Sequence, residues 1–145
     1  MANFEHPASA FSSTILIATS ADPEATGGAG HFTHPIRNLT VDDPQRYAIA
    51  LVDITLTHPG TGSVFVSCNL AALTRVGSQL ANSIYRIPNM VAGEHTVEQR
   101  GTIVRWIPYG SFNTATDVEI QLTDAFGVTL PATGTTTVTL AIKRM

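Results

Sequence analysis

The feature that most constrains the fold of this chain is a succession of short segments in which apolar and polar residues alternate. Val118, Ile120 and Leu122 are separated by polar residues, and the segment 135–143 follows the same pattern. A period of two is typical of a β-strand that buries one face. No window of helical length carries a convincing apolar stripe with a period of 3.6, so the sequence predicts an all-β protein.

Eight segments of this kind are predicted strands, and turn signals separate nearly all of them. They span residues 12–18, 31–36, 46–57, 63–69, 83–89, 95–107, 116–123 and 135–143. Short antiparallel strands without crossover helices predict two sheets packed face to face, and an eight-stranded β-sandwich with single jelly-roll topology fits best. The one modest helix candidate is the segment 69–83.

Turns between the strands are predicted from glycine and aspartate. Gly60 and Gly62 lie in "HPGTGS", where glycine supplies the positive φ angles that tight turns require. Asp124 and Gly127 pair a side-chain acceptor with a glycine in "DAFG". We interpret these four residues as structural turn residues.

The length of 145 residues predicts one domain with a single core, residues 1–145, in which residues 1–11 form an extended N-terminal arm. The segment 46–57 is apolar on both faces at its start and then alternates. This pattern predicts a central strand whose first half is covered on both sides, by a loop or by another subunit.

Charge excludes several classes of partner. Only 13% of the residues are charged, against about 25% in typical soluble domains, and the net charge is −3. With eight Lys and Arg scattered along the chain, we expect neither direct binding of nucleic acid nor membrane insertion. The N-terminal residues show no secretory signal, so synthesis in a cytoplasm is expected. The small, hydroxyl-rich surface suits either packing against neighbours or a monomeric β-domain.

The order of motifs resembles a known family. The segment 13–58, which ends in "YAIALVDITLTH", is followed by "VFVSCNL", "IYRIP", "WIPY", "VEIQLTDAFGVTL" and "VTLAIKR". This arrangement resembles the small single jelly-roll, capsid-associated proteins of Polinton (Maverick) elements, adintoviruses and virophages, among them penton, minor capsid and spike-like proteins. In that family an Asp-x-x-Gly turn precedes a last strand that ends in a basic residue, and Asp124, Gly127 and Lys143 match this pattern.

Candidate catalytic and metal sites have simpler interpretations. His31 and His34 are spaced as H-x-x-H, but positions three apart in a strand point to opposite faces, so one metal ion cannot easily bind both. Asp42 and Asp43 precede a proline, as turn residues do. The single cysteine, Cys68, is predicted to be a buried thiol. No nucleophile, phosphate-loop or dinucleotide motif is present, so we expect no enzyme and no cofactor.

An aromatic cluster is the one feature with a ligand-binding interpretation. In "VRWIPYGSFN", Trp106 and Tyr109 follow Arg105 and precede Asn113. Aromatic rings that stack on a sugar, with Arg105 and Asn113 as hydrogen-bonding partners, would form a glycan-binding site. The alternative interpretation is a core tryptophan followed by a turn with a packed tyrosine.

These observations together favour a viral structural protein. We expect a non-enzymatic minor capsid, vertex or spike-head component of the virion that self-associates, as a trimer or pentamer, and contacts other capsid proteins. One alternative is a lectin-like carbohydrate-binding module that binds host-surface glycans. Another is a major capsid protein that forms a shell alone, which ranks lower because a shell around a genome usually needs basic arms.

Overall fold

The alternating segments form strands in a computed structural model that describes residues 14–76, 79–99, 104–111 and 114–145. The described part contains twelve β-strands and no α-helix; its one helical element is a 3₁₀ turn, Pro44–Arg46. The strands are β1 Thr14–Thr19, β2 Thr26–Gly28, β3 His31–Thr40, β4 Tyr47–His58, β5 Gly62–Cys68, β6 Thr74–Val76, β7 Gln79–Ala81, β8 Ser83–Met90, β9 Gly93–Glu98, β10 Ile107–Pro108, β11 Thr114–Thr123 and β12 Thr133–Arg144.

Ten of these strands form two antiparallel five-stranded sheets. In sheet I the order is β1-β12-β4, and β9 and β10 both pair with the other edge of β4. In sheet II the order is β2-β3-β11-β5-β8. Strands β6 and β7 form a separate hairpin. The predicted all-β, two-sheet architecture of a β-sandwich is thus confirmed.

The connections between the strands lie at the two ends of the sandwich. Because neighbouring strands are antiparallel, β1, β4, β8 and β11 all end at the same end of the molecule. We call it the upper end; it contains the connections 20–25, 59–61, 91–92 and 124–132. The connection 41–46 and the segment Leu70–Ala72 lie at the opposite, lower end.

The core lies between the two sheets and is built from the predicted alternation. Val118, Ile120 and Leu122 of β11 are fully buried, and so are Val138 and Leu140 of β12. Each fully buried aliphatic side chain of this size contributes roughly 1.5–3 kcal/mol by leaving water. The interleaved polar residues of these strands face outward.

Strand β4 is buried on both faces in its first half. The ladder between β4 and β12 shifts register beside Val52, so Ile49 and Leu51 face the core before the shift and Ile54 and Leu56 after it. Ala48 and Ala50 point to the outer face and are still buried. At the edge of β4 the backbone N–H of Gln99 donates to the Val52 carbonyl at 2.9 Å.

The two sheets contain ten strands, not the predicted eight, and one reason lies in the predicted strand 95–107. Glu98 pairs with Asp53 and Ile107 with Ile49, so eight residues separate Glu98 from Ile107 in the chain, whereas only three residues of β4 separate Asp53 from Ile49. The excess chain cannot stay in the ladder, and the segment is divided into β9 and β10.

Three further strands, β2, β6 and β7, come from segments that were not predicted to be strands. Residues Thr26–Gly28 pair with β3 through residues 31–33. The helix candidate 69–83 is wrong: it contains the hairpin of β6 and β7 instead. Its first part is a turn, closed by a hydrogen bond from the Ala71 N–H to the Cys68 carbonyl at 3.1 Å, after which the buried Ala71 pairs with Tyr109.

The predicted turn residues lie in turns at the upper end. Gly62 has a φ angle of +129° and Gly127 one of +81°. The Oδ1 atom of Asp124 accepts hydrogen bonds from the backbone N–H groups of Phe126 at 2.8 Å and Val128 at 3.0 Å. The predicted arm, residues 1–11, lies outside the described residues.

Candidate functional site

The structure places Trp106 and Tyr109 of the predicted glycan-binding cluster on opposite faces of sheet I. Ile107 and Tyr109, two residues apart around β10, are buried in the core with exposures of 6% and 5%. Trp106 is half-buried and lies on the outer side, where the Lys143 ammonium is 4.3 Å from its ring centroid. Arg105 is exposed, and Asn113 lies outside the described residues. The two rings therefore do not form one stacking surface.

Tyr109 is held in the core by backbone contacts on both sides. Its N–H donates to the Tyr47 carbonyl at 2.9 Å, and Gly110 donates to the Leu70 carbonyl at 2.9 Å. The approach needs glycine, since a Cβ on Gly110 would lie 2.6 Å from the Cα of Ala72. Burial raises the pKa of Tyr109 above its usual value, and a hydrogen bond with Ser111 partly offsets that effect.

Trp106 lies on the outer face of sheet I, above its small residues. By register, Ala48, Ala50 and Ala141 all point to this face, and none is more than 7% exposed. The Gln99 side chain is anchored to β4, because its amide donates to the Leu51 carbonyl at 2.7 Å. With Lys143 over the ring, one aromatic face is occupied by a cation–π contact.

An uncovered apolar surface lies at the edge of the same sheet. Ile15 and Ile17 of β1 are each 58% exposed, whereas Ala18 on the other face of the strand is fully buried. In the described part of the chain, β1 forms a ladder with β12 alone, so its second edge has no partner strand there. We call Ile15, Ile17 and this open edge the edge surface.

Two apolar loop residues, Phe126 and Val128, are also exposed, at 81% and 61%. Both lie in the upper-end turn that follows β11. Exposed side chains of this size at a loop tip are available for contact with another molecule.

The histidines of the H-x-x-H segment have different surroundings, as the strand period predicts. His31 is exposed, and its Nε2 lies 2.6 Å from an oxygen of Glu119. The Nδ1 of His34 accepts a hydrogen bond from the Thr19 N–H at 3.0 Å, and its Nε2 lies 3.4 Å from Asp22. His34 therefore links β3 in sheet II to β1 in sheet I. Among the described residues, no three His, Cys, Asp or Glu side chains are grouped to hold a metal ion.

The paired aspartates form a polar network at the lower end. Asp42 accepts a hydrogen bond from the Tyr47 hydroxyl at 2.8 Å and lies 3.1 Å from Arg144. The tyrosine bond lowers the pKa of Asp42 most, Arg144 contributes, and burial opposes both. Asp43 caps the 3₁₀ turn and pairs with Arg46 at 3.2 Å. This arrangement agrees with the turn interpretation.

The single thiol is inaccessible. Cys68 is fully buried, and burial raises its pKa to about 12, so almost none of it is thiolate near neutral pH. A buried protonated thiol is a poor nucleophile, as the sequence predicts.

Comparison with known proteins gives no relative. No family model matches the chain, and no curated protein matches it. The resemblance to small jelly-roll capsid proteins therefore stays a prediction. In the described residues, no helix is long and apolar enough to cross a membrane.

The edge surface was not predicted from the sequence, although "TILIAT" carries a signal of it. Ile15 and Ile17 alternate with Leu16 and Ala18, so both faces of β1 are apolar. Such a strand is either covered on both sides or exposes apolar residues on one. The position of β1 at the edge of a sheet decides between these outcomes, and that position is a property of the tertiary structure.

Proposed function

We propose that this chain is a non-enzymatic structural protein that self-associates through its edge surface, as a minor capsid, vertex or spike-head component of a virion. The observation that carries the proposal is the exposure of Ile15 and Ile17 on an edge strand. A flat apolar edge is a liability in a monomer, and natural proteins cover it or use it for pairing.

A second copy of the chain is the occupant that the chemistry favours. Strand β1 contains no charged residue, so two copies can approach without electrostatic repulsion. Burying a half-exposed isoleucine contributes roughly 1–2 kcal/mol, and each interface would bury at least two. The low charge of the chain, 13% of its residues, also suits contact between copies.

Jelly-roll topology is part of the proposal, and the strand order supports it. When β9 and β10 are counted as one strand, sheet I has the order β1-β12-β4-β9/β10, and four strands of sheet II have the order β3-β11-β5-β8. This is the order produced by wrapping an eight-stranded antiparallel ribbon into two sheets. Strand β2 is then an addition at the edge beside β3.

A closed ring of three or five copies is the expected assembly. In such a ring the edge surface of one copy meets a different surface of the next, and the contacts close by rotation. The exposed side chains of Phe126 and Val128 would provide one surface for the neighbouring copy's edge surface to meet. Pairing of two β1 edges with each other would instead give a twofold dimer.

The experiment is a mass measurement by light scattering across concentration. We expect the native chain to be a trimer or a pentamer, and the double variant Ile15→Thr with Ile17→Thr to be a monomer. Threonine keeps the β-branched shape that strands favour, so the strand is retained while the apolar contact is lost. Val91→Thr is the matched control, because Val91 is equally exposed, at 58%, but lies in the connection between β8 and β9.

Each other outcome contradicts a stated part of the proposal. A monomer at every concentration contradicts self-association, and a chain that associates only when residues 1–13 are deleted identifies that segment as the occupant of the edge surface. A dimer contradicts the ring. An unchanged mass in the double variant places the interface away from β1.

A further inference from the structure

A groove crosses the outer face of sheet II, on the opposite side of the molecule from the edge surface. Its central part has a volume of about 230 Å³ and lies between β5, β11, the turn after β11 and the start of β8. The residues that matter for its chemistry are Phe65, Ser67, Asn82, Gln121, Thr123 and Asp124.

Two adjoining depressions extend the groove. One of about 50 Å³ shares Ser67, Asn82 and Gln121 with the central part and also contacts Glu119. Glu119 also lines a third depression, of about 260 Å³, together with His31. The groove therefore runs across sheet II from the start of β8 toward β2.

Several polar groups in the groove are held in place before any ligand arrives. The Gln121 amide donates to the Thr129 hydroxyl at 2.7 Å, and the Asn82 amide donates to the Ala71 carbonyl at 2.7 Å. The backbone turn fixes Asp124 through its Oδ1 atom. Groups ordered in advance lose little conformational entropy on binding, which favours affinity.

The apolar component of the groove is the ring of Phe65. This residue is half-buried on the outer face, and the Arg86 guanidinium lies 5.9 Å from the ring centroid. Arg86 also donates to the Ser63 hydroxyl at 3.3 Å, which places its N–H groups near the ring. One aromatic face beside hydroxyls, amides and a carboxylate offers both a stacking surface and hydrogen-bonding partners.

The charge of the groove selects against anions. Its lining includes the carboxylate of Asp124, the adjoining depressions include that of Glu119, and the Arg86 guanidinium is engaged with Phe65 and Ser63. Hydroxyls of Ser67 and Thr123 can donate or accept, and carboxylate and amide oxygens accept. A ligand rich in hydroxyl groups and without negative charge satisfies these groups.

We propose that this groove is a binding site for neutral saccharides, with Phe65 stacking on a sugar ring. The volume of the central part is below the roughly 300–1,000 Å³ of sites for drug-sized ligands, which suits one sugar unit there. A peptide could not add as a strand here, because β5 and β11 are central strands with both edges paired. The site is independent of the edge surface and differs from the cluster around Trp106.

The experiment is a titration of the full chain by calorimetry and saturation-transfer NMR. The probes are glucose, galactose, mannose, N-acetylglucosamine and lactose, with sialyllactose as the anionic counterpart of lactose. We expect binding of at least one neutral probe, and weaker binding of sialyllactose than of lactose. Phe65→Ala is expected to weaken binding about tenfold, because an aromatic contact contributes about one factor of ten.

A second groove variant and a control separate this site from the rest of the molecule. Ser67→Ile fills the groove with a β-branched side chain, which strands favour, and it is expected to abolish binding even if Phe65→Ala fails to fold. Trp106→Ala is expected to leave binding unchanged.

The proposal is overturned if no neutral probe binds at millimolar concentration, if sialyllactose binds more tightly than lactose, or if Trp106→Ala abolishes binding that Ser67→Ile leaves intact. A failure to bind saccharides would leave the proposed self-association untouched, because the groove and the edge surface lie on different sheets.

Discussion

His58 is buried at the upper end of the sandwich, and its ring is only half satisfied within the described residues. The residue is 4% exposed, its Nδ1 accepts a hydrogen bond from the Gly60 N–H at 2.9 Å, and its Nε2 has no partner. Burial lowers the pKa of His58 from the usual 6.5, and the nearby His95 lowers it further. The folded chain therefore favours the neutral ring.

We predict that the free energy of unfolding falls as the pH is lowered through 6.5, the usual pKa that His58 has in the unfolded chain. Below that value the unfolded chain binds a proton that the folded chain resists, until the pH passes the lowered folded pKa. One such group changes stability by at most about 1.4 kcal/mol for each pH unit. Urea unfolding between about pH 7.5 and pH 5 measures the slope.

The variant His58→Asn tests whether this side chain causes the slope. The Asn oxygen can still accept from the Gly60 N–H, while the orphaned Nε2 and the titration are both removed. We expect a smaller decline of stability with falling pH than in the native chain. Equal slopes in the two proteins would assign the acid sensitivity to other groups.

The sequence could not single out His58. It stands alone in "LTHPG", without a second ligand or charge nearby in the chain. Its neighbour His95 is 37 positions away and approaches only because Leu56, two residues before His58, pairs with His95 in the ladder between β4 and β9. Registers between distant strands depend on the whole sheet.

At the scale of elements, one threonine ties the start of β12 to the connection between β2 and β3. Thr136 is fully buried, and its hydroxyl donates to the Ala29 carbonyl at 2.7 Å. Its backbone N–H donates to the Ser20 hydroxyl at 3.0 Å. These bonds join sheet I to the upper-end connections of sheet II.

We predict that Thr136→Val lowers the free energy of unfolding by about 1–3 kcal/mol, because it leaves the buried Ala29 carbonyl without its donor. The control is Thr139→Val, the same change on the half-exposed outer face of the same strand, which is expected to alter stability by less than about 0.5 kcal/mol. Urea unfolding of both variants gives the comparison. If Thr136→Val lowers the free energy of unfolding no more than Thr139→Val does, the Thr136 hydroxyl contributes little to stability.

The elements that were predicted well are those whose pattern is local. In β11 and β12, Val118, Ile120 and Leu140 alternate with polar residues, and the strands follow that alternation. The division of 95–107 was missed, since it depends on how many β4 residues lie opposite Glu98 and Ile107. The hairpin inside 69–83 was missed because the start of this segment depends on the pairing of Ala71 with Tyr109, which is distant in sequence.

At the scale of the whole molecule, Cys68 reports on opening of the entire core. It lies in β5 and is fully buried, with the pKa of its thiol raised to about 12. Exposing a side chain that is fully buried between the sheets requires the sheets to separate, so we expect reagents to reach the thiol only when the sandwich opens.

We predict that iodoacetamide at about pH 8 labels Cys68 far more slowly than an unfolded thiol, whose pKa is near 8.5. If opening is global and reclosing is fast, the labelling rate rises tenfold for every 1.4 kcal/mol of lost stability. Thr136→Val should therefore accelerate labelling by the factor that its loss of stability predicts, whereas Thr139→Val should leave the labelling rate nearly unchanged. Rapid labelling of the native chain would contradict the burial of this strand.

The sequence by itself determined the all-β class, the strands whose two faces differ, and the turns at Asp124 and Gly127, because these depend on residues within a few positions of each other. It also predicted that Cys68 is buried, since its neighbours in the strand alternate. The tertiary structure decided the strand order, the separation of Trp106 from Tyr109 by the sheet, and the exposure of Ile15 and Ile17. It also brought Phe65, Gln121 and Asn82 into one groove. Those features depend on which strands lie side by side, and sheets pair residues far apart in sequence through backbone hydrogen bonds that any side chain permits.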